Sequence, residues 1–244
     1  MTSSSDRPVA PPFKNHLLSV LPQEDQTLLA DRLELVELRP RQVLHLRSLP
    51  FENAYFLESG LVSVIAELDN NEAVEVWFIG REGMVGIPAV LGSASSPFKR
   101  VVHVPGHAHR IAVKDLRAAM AASPTLNGLL HRYAYAVTVQ VAQVSLCSRL
   151  HTVPMRLSRW LLTAQHSLGV SALPLTHETL SRLMGVRRAS VSTALRDLER
   201  DGVISVDRGV VTILDRDALV RASCKCHRVI LGAYQRALVH GPCR

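Results

Sequence analysis

LPLTHETLSRLMGVRRASVSTALRDLERDGVISVDRGVVTIL, residues 173–214, is the stretch on which the reading of this chain turns. Thr176 offers the side-chain oxygen that a helix N-terminus needs. Leu175 and Leu180 stand across it as a hydrophobic staple, and Glu178 places a negative charge in the first turn. Leu180, Leu183 and Met184 give that helix one apolar face. Gly185-Val186 then breaks it, glycine supplying the backbone freedom of a tight turn. In the helix that follows, Val191, Ala194, Leu195 and Leu198 fall at i, i+3, i+4 and i+7, a single buried stripe. The opposite face carries Ala189, Ser192, Thr193, Arg196 and Arg200, with Arg188 flanking the first turn. Small and hydroxylic residues allow close approach, and the arginines call for an anion. Asp201-Gly202 closes the helix, and residues 203–206 and 210–213 read as strands joined by the basic turn Asp207-Arg208-Gly209. Together these are the parts of a winged helix shaped for the DNA major groove.

The charge distribution agrees. Of the 28 Lys and Arg and 21 Asp and Glu, residues 145–244 hold 15 and 7, leaving 13 and 14 for residues 1–144. The excess of +8 therefore sits in the half with the candidate DNA reader, as neutralising a phosphate backbone requires. No apolar run approaches the roughly 18 residues of a membrane helix, and MTSSS at residues 1–5 does not begin a secretory signal, so a cytoplasmic chain without membrane contact is expected. Cys147, Cys224, Cys226 and Cys243 are then expected as free thiols.

Upstream, residues 1–14 are rich in Ser and Pro and read as a disordered tail. Residues 22–35 suit a short helix with Leu28, Leu29 and Leu33 inward. Short alternating runs follow at 43–46, 54–57, 61–66, 73–79, 100–104 and 109–113. Turn residues Ser59-Gly60, Asp69-Asn70-Asn71 and Gly80 separate them, the pattern of a small antiparallel barrel or jelly roll. Within the helical segment 124–150, Leu126, Leu130, Tyr133, Val137, Gln140, Val144 and Cys147 recur at intervals of four and three. That is a coiled-coil period, and the first six form a candidate seam, the alternative being a single core-facing helix.

The run at 175–204 resembles the C-terminal module of the cyclic-AMP receptor/Fnr superfamily of bacterial transcription regulators. YFLESGLVS at 55–63 and GREGMVG at 80–86 resemble the β-roll sensor of the same superfamily, and the likeness extends from about residue 15 to about residue 230. The resemblance implies an α+β chain with an antiparallel β-roll at 15–122 and a dimerisation helix at 123–150. A winged helix-turn-helix at 151–223 and a C-terminal tail or helix at 224–244 complete it. It implies a homodimer, joined along the candidate seam, on near-palindromic double-stranded DNA, with RNA polymerase as a further partner. The expected DNA-contacting residues are Thr176, Arg187, Arg188, Ser190, Ser192, Thr193, Arg196 and Arg208.

The family's cyclic-nucleotide pocket carries a Gly-Glu pair for the ribose and an arginine for the phosphate. The corresponding positions here read Gly86-Ile87-Pro88 and about Ser96-Pro97-Phe98, so both groups are missing. Lys99 and Arg100 stand nearby at a different spacing, which a bidentate arginine does not tolerate. Gly83, Gly86, Ile87, Lys99 and Arg100 remain a candidate effector pocket, for something other than a cyclic nucleotide or for nothing.

His107 and His109 share a strand face as in cupin metal sites, with His103 near, but the next carboxylate is Asp115. Cys224 and Cys226 have one residue between them, fewer than the two to four usual at zinc sites, and read as ordinary thiols. The Fnr branch binds an iron–sulfur cluster through N-terminal cysteines, and the first cysteine here is Cys147. No metal, haem or other cofactor is expected. No Gly-rich phosphate loop or G-x-S-x-G elbow is present, so catalysis is not expected. The alternative from another class is a cupin-like metal-binding protein or metalloenzyme using His103, His107 and His109. A third reading is a constitutive DNA binder whose roll is only scaffold.

Overall fold

The computed structural model describes residues 13–67 and 73–239. Residues 1–12 of the expected tail and the expected turn at Asp69-Asn70-Asn71 lie outside them. Phe13 and Lys14, the end of that tail, are held. The Lys14 amide donates to Glu58 at 2.7 Å, and the Phe13 ring lies edge-on to His109. Asn15 caps α1 (His16–Ser19), accepting from the amides of Leu17 and Leu18. Its Nδ2 donates to the carbonyls of Leu57 and Gly83 at 2.9 and 2.8 Å, which staples the N-terminal segment to the roll. The segment read as one helix to residue 35 divides into α2 (Gln23–Ala30) and an edge strand, β1 (Glu34–Leu38).

The remaining strands of the roll are β2 (Val43–His45), β3 (Asn53–Leu57), β4 (Leu61–Glu67), β5 (Ala73–Ile79), β6 (Met84–Val85), β7 (Lys99–Val104) and β8 (Gly106–Ala112), with α3 (Ile87–Val90) between β6 and β7. They form two antiparallel sheets, β1-β8-β3-β6 and β2-β7-β4-β5. β3 shows why an uninterrupted apolar run was needed. Tyr55 and Leu57 face the opposite sheet with Val62, Val64 and Val102, whereas Ala54 and Phe56 face the helices, so neither side meets water. Gly60, at φ +83°, turns β3 into β4 where a side chain would collide with the Val104 carbonyl.

After α4 (Val113–Ala122), Ser123 caps α5 (Pro124–Leu150), its hydroxyl accepting from the Leu126 amide, with proline at the first helical position. The C-terminal half continues with α6 (Val153–Leu168), β9 (Ala172–Leu173), α7 (His177–Met184), α8 (Arg188–Arg200), β10 (Ile204–Asp207), β11 (Val210–Ile213), α9 (Arg216–Ala222) and α10 (Cys226–Leu238). α10 lies along α5. Tyr234 donates to the Gln140 side chain, and Arg132 Nε donates to the Ala237 carbonyl. The α+β architecture is as expected from sequence, with a long helix between roll and winged helix.

The expected seam needs correcting. Leu126, Leu130, Tyr133, Val137 and Gln140 are all buried within this one chain, and Val144 is half-buried. Tyr133 lies against the roll, its hydroxyl accepting from the Met84 amide at 3.0 Å, and Gln140 is satisfied by α10. A continuous 3.5-residue stripe says only that a helix has a partner along its length. Here those partners are the roll and α10.

Candidate nucleic-acid interface

Thr176 forms the α7 N-cap as its position predicts, accepting from the Thr179 amide at 3.1 Å. Gly185 ends the helix in the left-handed conformation at φ +63°, and Arg156 on α6 donates to the Met184 carbonyl there at 2.8 Å. Val191, Ala194, Leu195 and Leu198 bury the inner stripe of α8 against Leu180, Leu183, Leu157 and Leu161. That packing fixes which face of α8 is left outside. Arg188, Ala189, Thr193 and Arg196 are exposed on it, with Arg187 at the N-cap and Ser190 and Ser192 half-buried.

These side chains are not equally free. Ser192 Oγ lies 2.9 Å from His177 Nδ1, so α7 orients it. Arg196 folds along its own helix, Nε donating to the Ser192 carbonyl at 3.3 Å and Nη2 to Thr193 Oγ1 at 3.4 Å. Arg200 is paired with Asp197 at 3.0 Å and Asp201 at 3.4 Å, which leaves less of its charge for a ligand. His177 was missed in the sequence, because nothing in a linear pattern places it across from Ser192.

The wing is a two-residue hairpin in which Asp207 pairs with Val210, and Arg208 and Gly209 take φ of +43° and +82°. Positive φ at both central residues is the turn that follows strand twist, but arginine adopts it at a cost that glycine or asparagine would avoid. A basic side chain is thus kept at the tip against local preference. Gly209 lies beside the Thr176 methyl, so the tip stands next to the start of α7. β9 adds a third wing strand through Leu173 and Ala172, which two residues were too few to announce.

The other candidate sets do not converge in the same way. Gly83 lies directly under the Tyr133 ring, where any side chain would collide, and Gly86 packs on Ala54. Lys99 instead pairs with Glu67 at 3.3 Å, and buried Arg100 donates to the Phe98 carbonyl and lies over the Phe51 ring. Ile87 is buried in the helix-facing core. His103 belongs to β7, in the sheet opposite His107 and His109 on β8. His109 faces Glu58 at 3.5 Å, and burial lowers the pKa of both His103 and His109.

Roll and winged helix share a boundary. Trp160 on α6 stacks obliquely on Phe78 with ring centres 5.1 Å apart, and donates from Nε1 to Glu75 at 3.1 Å. Ser63 donates to the same carboxylate at 2.5 Å. Beside them a cavity of about 270 Å3 is lined by Arg41, Ser63, Glu75 and His103 from the roll and by Thr179 and Arg182 from α7.

Residues 155–222 match the model of the Crp-like helix-turn-helix domain. Among solved structures, a transcriptional regulator of the crp/fnr family from Eubacterium rectale is similar at 19% identity and a TM-score of 0.61, over 84% of this chain and 96% of that one. FixK2 from Bradyrhizobium japonicum is similar at 16% identity and a TM-score of 0.67, over 79% and 98%. The c-di-GMP responsive global regulator CLP of Xanthomonas campestris gives 18% identity and a TM-score of 0.57, over 79% and 99%. No curated protein matches.

Proposed function

We propose that this chain is a DNA-binding transcription regulator of the Crp/Fnr type that acts as a homodimer on a near-palindromic operator, a reading supported by the matching helix-turn-helix model and the shared fold. The observation that carries this reading is the exposed face of α8, held outward by its buried stripe, beside a wing that keeps Arg208 at its tip in an unfavourable backbone conformation. Arg188, Ser192 and Thr193 then contact base edges. Arg187, Ser190, Arg196 and Arg208 hold phosphates, and Thr176 approaches the backbone beside the wing.

The dimer in this reading uses the face of α5 that the protomer leaves open. His131, Tyr135, Thr138, Ala142, Ser145 and Arg149 follow intervals of four and three along it, and Tyr135, Leu146 and Leu150 are large apolar side chains 69, 42 and 71% exposed. A second copy of α5 covers such a stripe and places two α8 helices roughly 34 Å apart. A signal in the roll reaches the DNA reader through β5, whose Glu75 and Phe78 touch α6, and RNA polymerase is the downstream partner. Among the described residues no helix is long and apolar enough to cross a membrane.

The experiment is a salt titration of binding to a random-sequence duplex, for the full chain and for single alanine variants of Arg187, Arg196 and Arg208. Each loss is expected to lower the slope of log K against log salt by about 0.9. Unchanged slopes in all three variants would place the DNA contacts elsewhere.

A further inference from the structure

The end of α5 and the start of α10 bring together four side chains that the sequence separates by up to 79 positions: Cys147, His151, Cys224 and Cys226. Cys147 Sγ lies 3.5 Å from Cys224 Sγ, Cys226 Sγ lies 3.7 Å from His151 Nδ1, and all four potential ligand atoms lie within 4.8 Å of one another. The three cysteines are 0, 2 and 4% exposed, and His151 is half-buried at their edge. It is the one such group found among the described residues.

Zinc holds thiolate sulfur at about 2.3 Å and imidazole nitrogen at about 2.0–2.1 Å, so neighbouring ligands on a tetrahedron stand roughly 3.5–3.8 Å apart. The Cys147–Cys224 and Cys226–His151 pairs already have about that separation, and no pair need close by more than about 1 Å. An iron–sulfur cluster spreads its thiolates over several irons and needs a wider set, so the compactness selects a single ion.

A second observation points the same way. Arg159, only 6% exposed, lies beside the thiols, and its Nε has no hydrogen-bond partner among the described residues. Three thiolates and an imidazole around a divalent cation carry one net negative charge, which the neighbouring buried guanidinium would offset.

We propose that Cys147, His151, Cys224 and Cys226 bind one tetrahedral zinc ion, which clips α10 to the end of α5 at the junction with α6. On binding, each of the three thiols releases its proton to solvent and no electron moves. Because α6 opens the DNA-binding domain, the ion fixes the angle at which that domain leaves α5. That consequence rests on the DNA-binding reading, whereas the metal site does not.

The test uses the full chain, purified reduced, and reads bound zinc by mass spectrometry and cobalt by its tetrahedral thiolate absorption. One ion per chain is expected in the wild type and in Cys243→Ser. Loss is expected in Cys224→Ser and His151→Ala, with affinity falling by more than the roughly 10–100-fold that outer-shell changes cost. His151→Cys keeps four ligands and should restore binding, which separates ligation from folding. A reduced, folded wild type that takes up neither ion, or a His151→Ala variant with undiminished affinity, overturns the site. If the metal binds as expected but its removal leaves DNA affinity unchanged, the site stands and the hinge role falls.

Discussion

Arg188 and Arg196 lie on one exposed face but in different circumstances, and in the proposed reading they separate the two ways a protein holds DNA. Arg188 opens α8 with no side-chain hydrogen bond among the described residues, and its planar fork fits guanine O6 and N7. Arg196 is two turns on and already tethered to its own helix. Arg188→Ala is expected to cost about 1–3 kcal/mol and to relax preference at one base position. Arg196→Ala is expected to weaken all sequences alike, and identical preference profiles for the two variants would contradict this division. Glu75 makes a second residue-scale case. The residue is part-exposed, but its carboxyl end is turned in against α6, and burial raises its pKa to about 7 despite the Ser63 and Trp160 hydrogen bonds and the charge of Arg159. The folded state therefore keeps a proton that the unfolded state releases near pH 4.5. The Glu75 contribution to stability is present below that pH and is lost as pH rises through about 7. His16, His45 and His227, each lowered to about 4 chiefly by burial, act with the opposite sign between pH 4 and 6.5, so the wild-type curve alone is a composite. Glu75→Gln isolates the effect: unfolding curves should show it gaining about 1–3 kcal/mol on the wild type between pH 5 and pH 8. A difference independent of pH would show that the carboxylate is already charged throughout. The arginines were readable because exposed polar faces follow from helical period. Glu75 was not, since its partner Trp160 is 85 positions away.

At the scale of elements, α5 shows where periodicity stops. The intervals of four and three from Leu126 to Cys147 marked a helix with a lasting partner, which is correct, but gave no means of distinguishing a second chain from α10. Residues 226–238 carry their own apolar stripe, Ile230, Ala233, Tyr234 and Ala237, yet lie beyond the module that drew attention. Cys147 was counted into the same stripe, which hid its i, i+4 relation to His151 and so the cluster with Cys224 and Cys226. Two substitutions distinguish the faces. Val137→Asp places a carboxylate in the protomer core and should destabilise folding by several kcal/mol whatever the oligomeric state. Ala142→Asp changes an exposed position, so thermal unfolding of the protomer should move little while sedimentation reports monomers, two carboxylates now meeting across the axis. An intact dimer in Ala142→Asp would move the interface off this stripe.

For the whole molecule, the division into a roll, a long helix and a winged helix was legible because each part writes a different period: two in the strands, three and a half in α5, and a broken helical pattern around Gly185. Trp160 could be placed at the junction from its position after Pro154, but its partners across the joins could not be read. The contacts of β5 with α6, the seating of α10 on α5 and the thiol cluster at their junction all pair residues far apart in sequence, where no local pattern predicts a partner. In the proposed dimer those same contacts set how the two DNA readers are spaced, and spacing is what an operator records. Selection of bound duplexes from a random pool with the purified full-length chain therefore tests sequence-specific reading by a symmetric dimer most directly. The expected product is an enriched near-palindrome whose half-sites lie one helical turn, about 10 base pairs, centre to centre. A pool that emerges without enrichment, or enriched in a single unrepeated site, would contradict it.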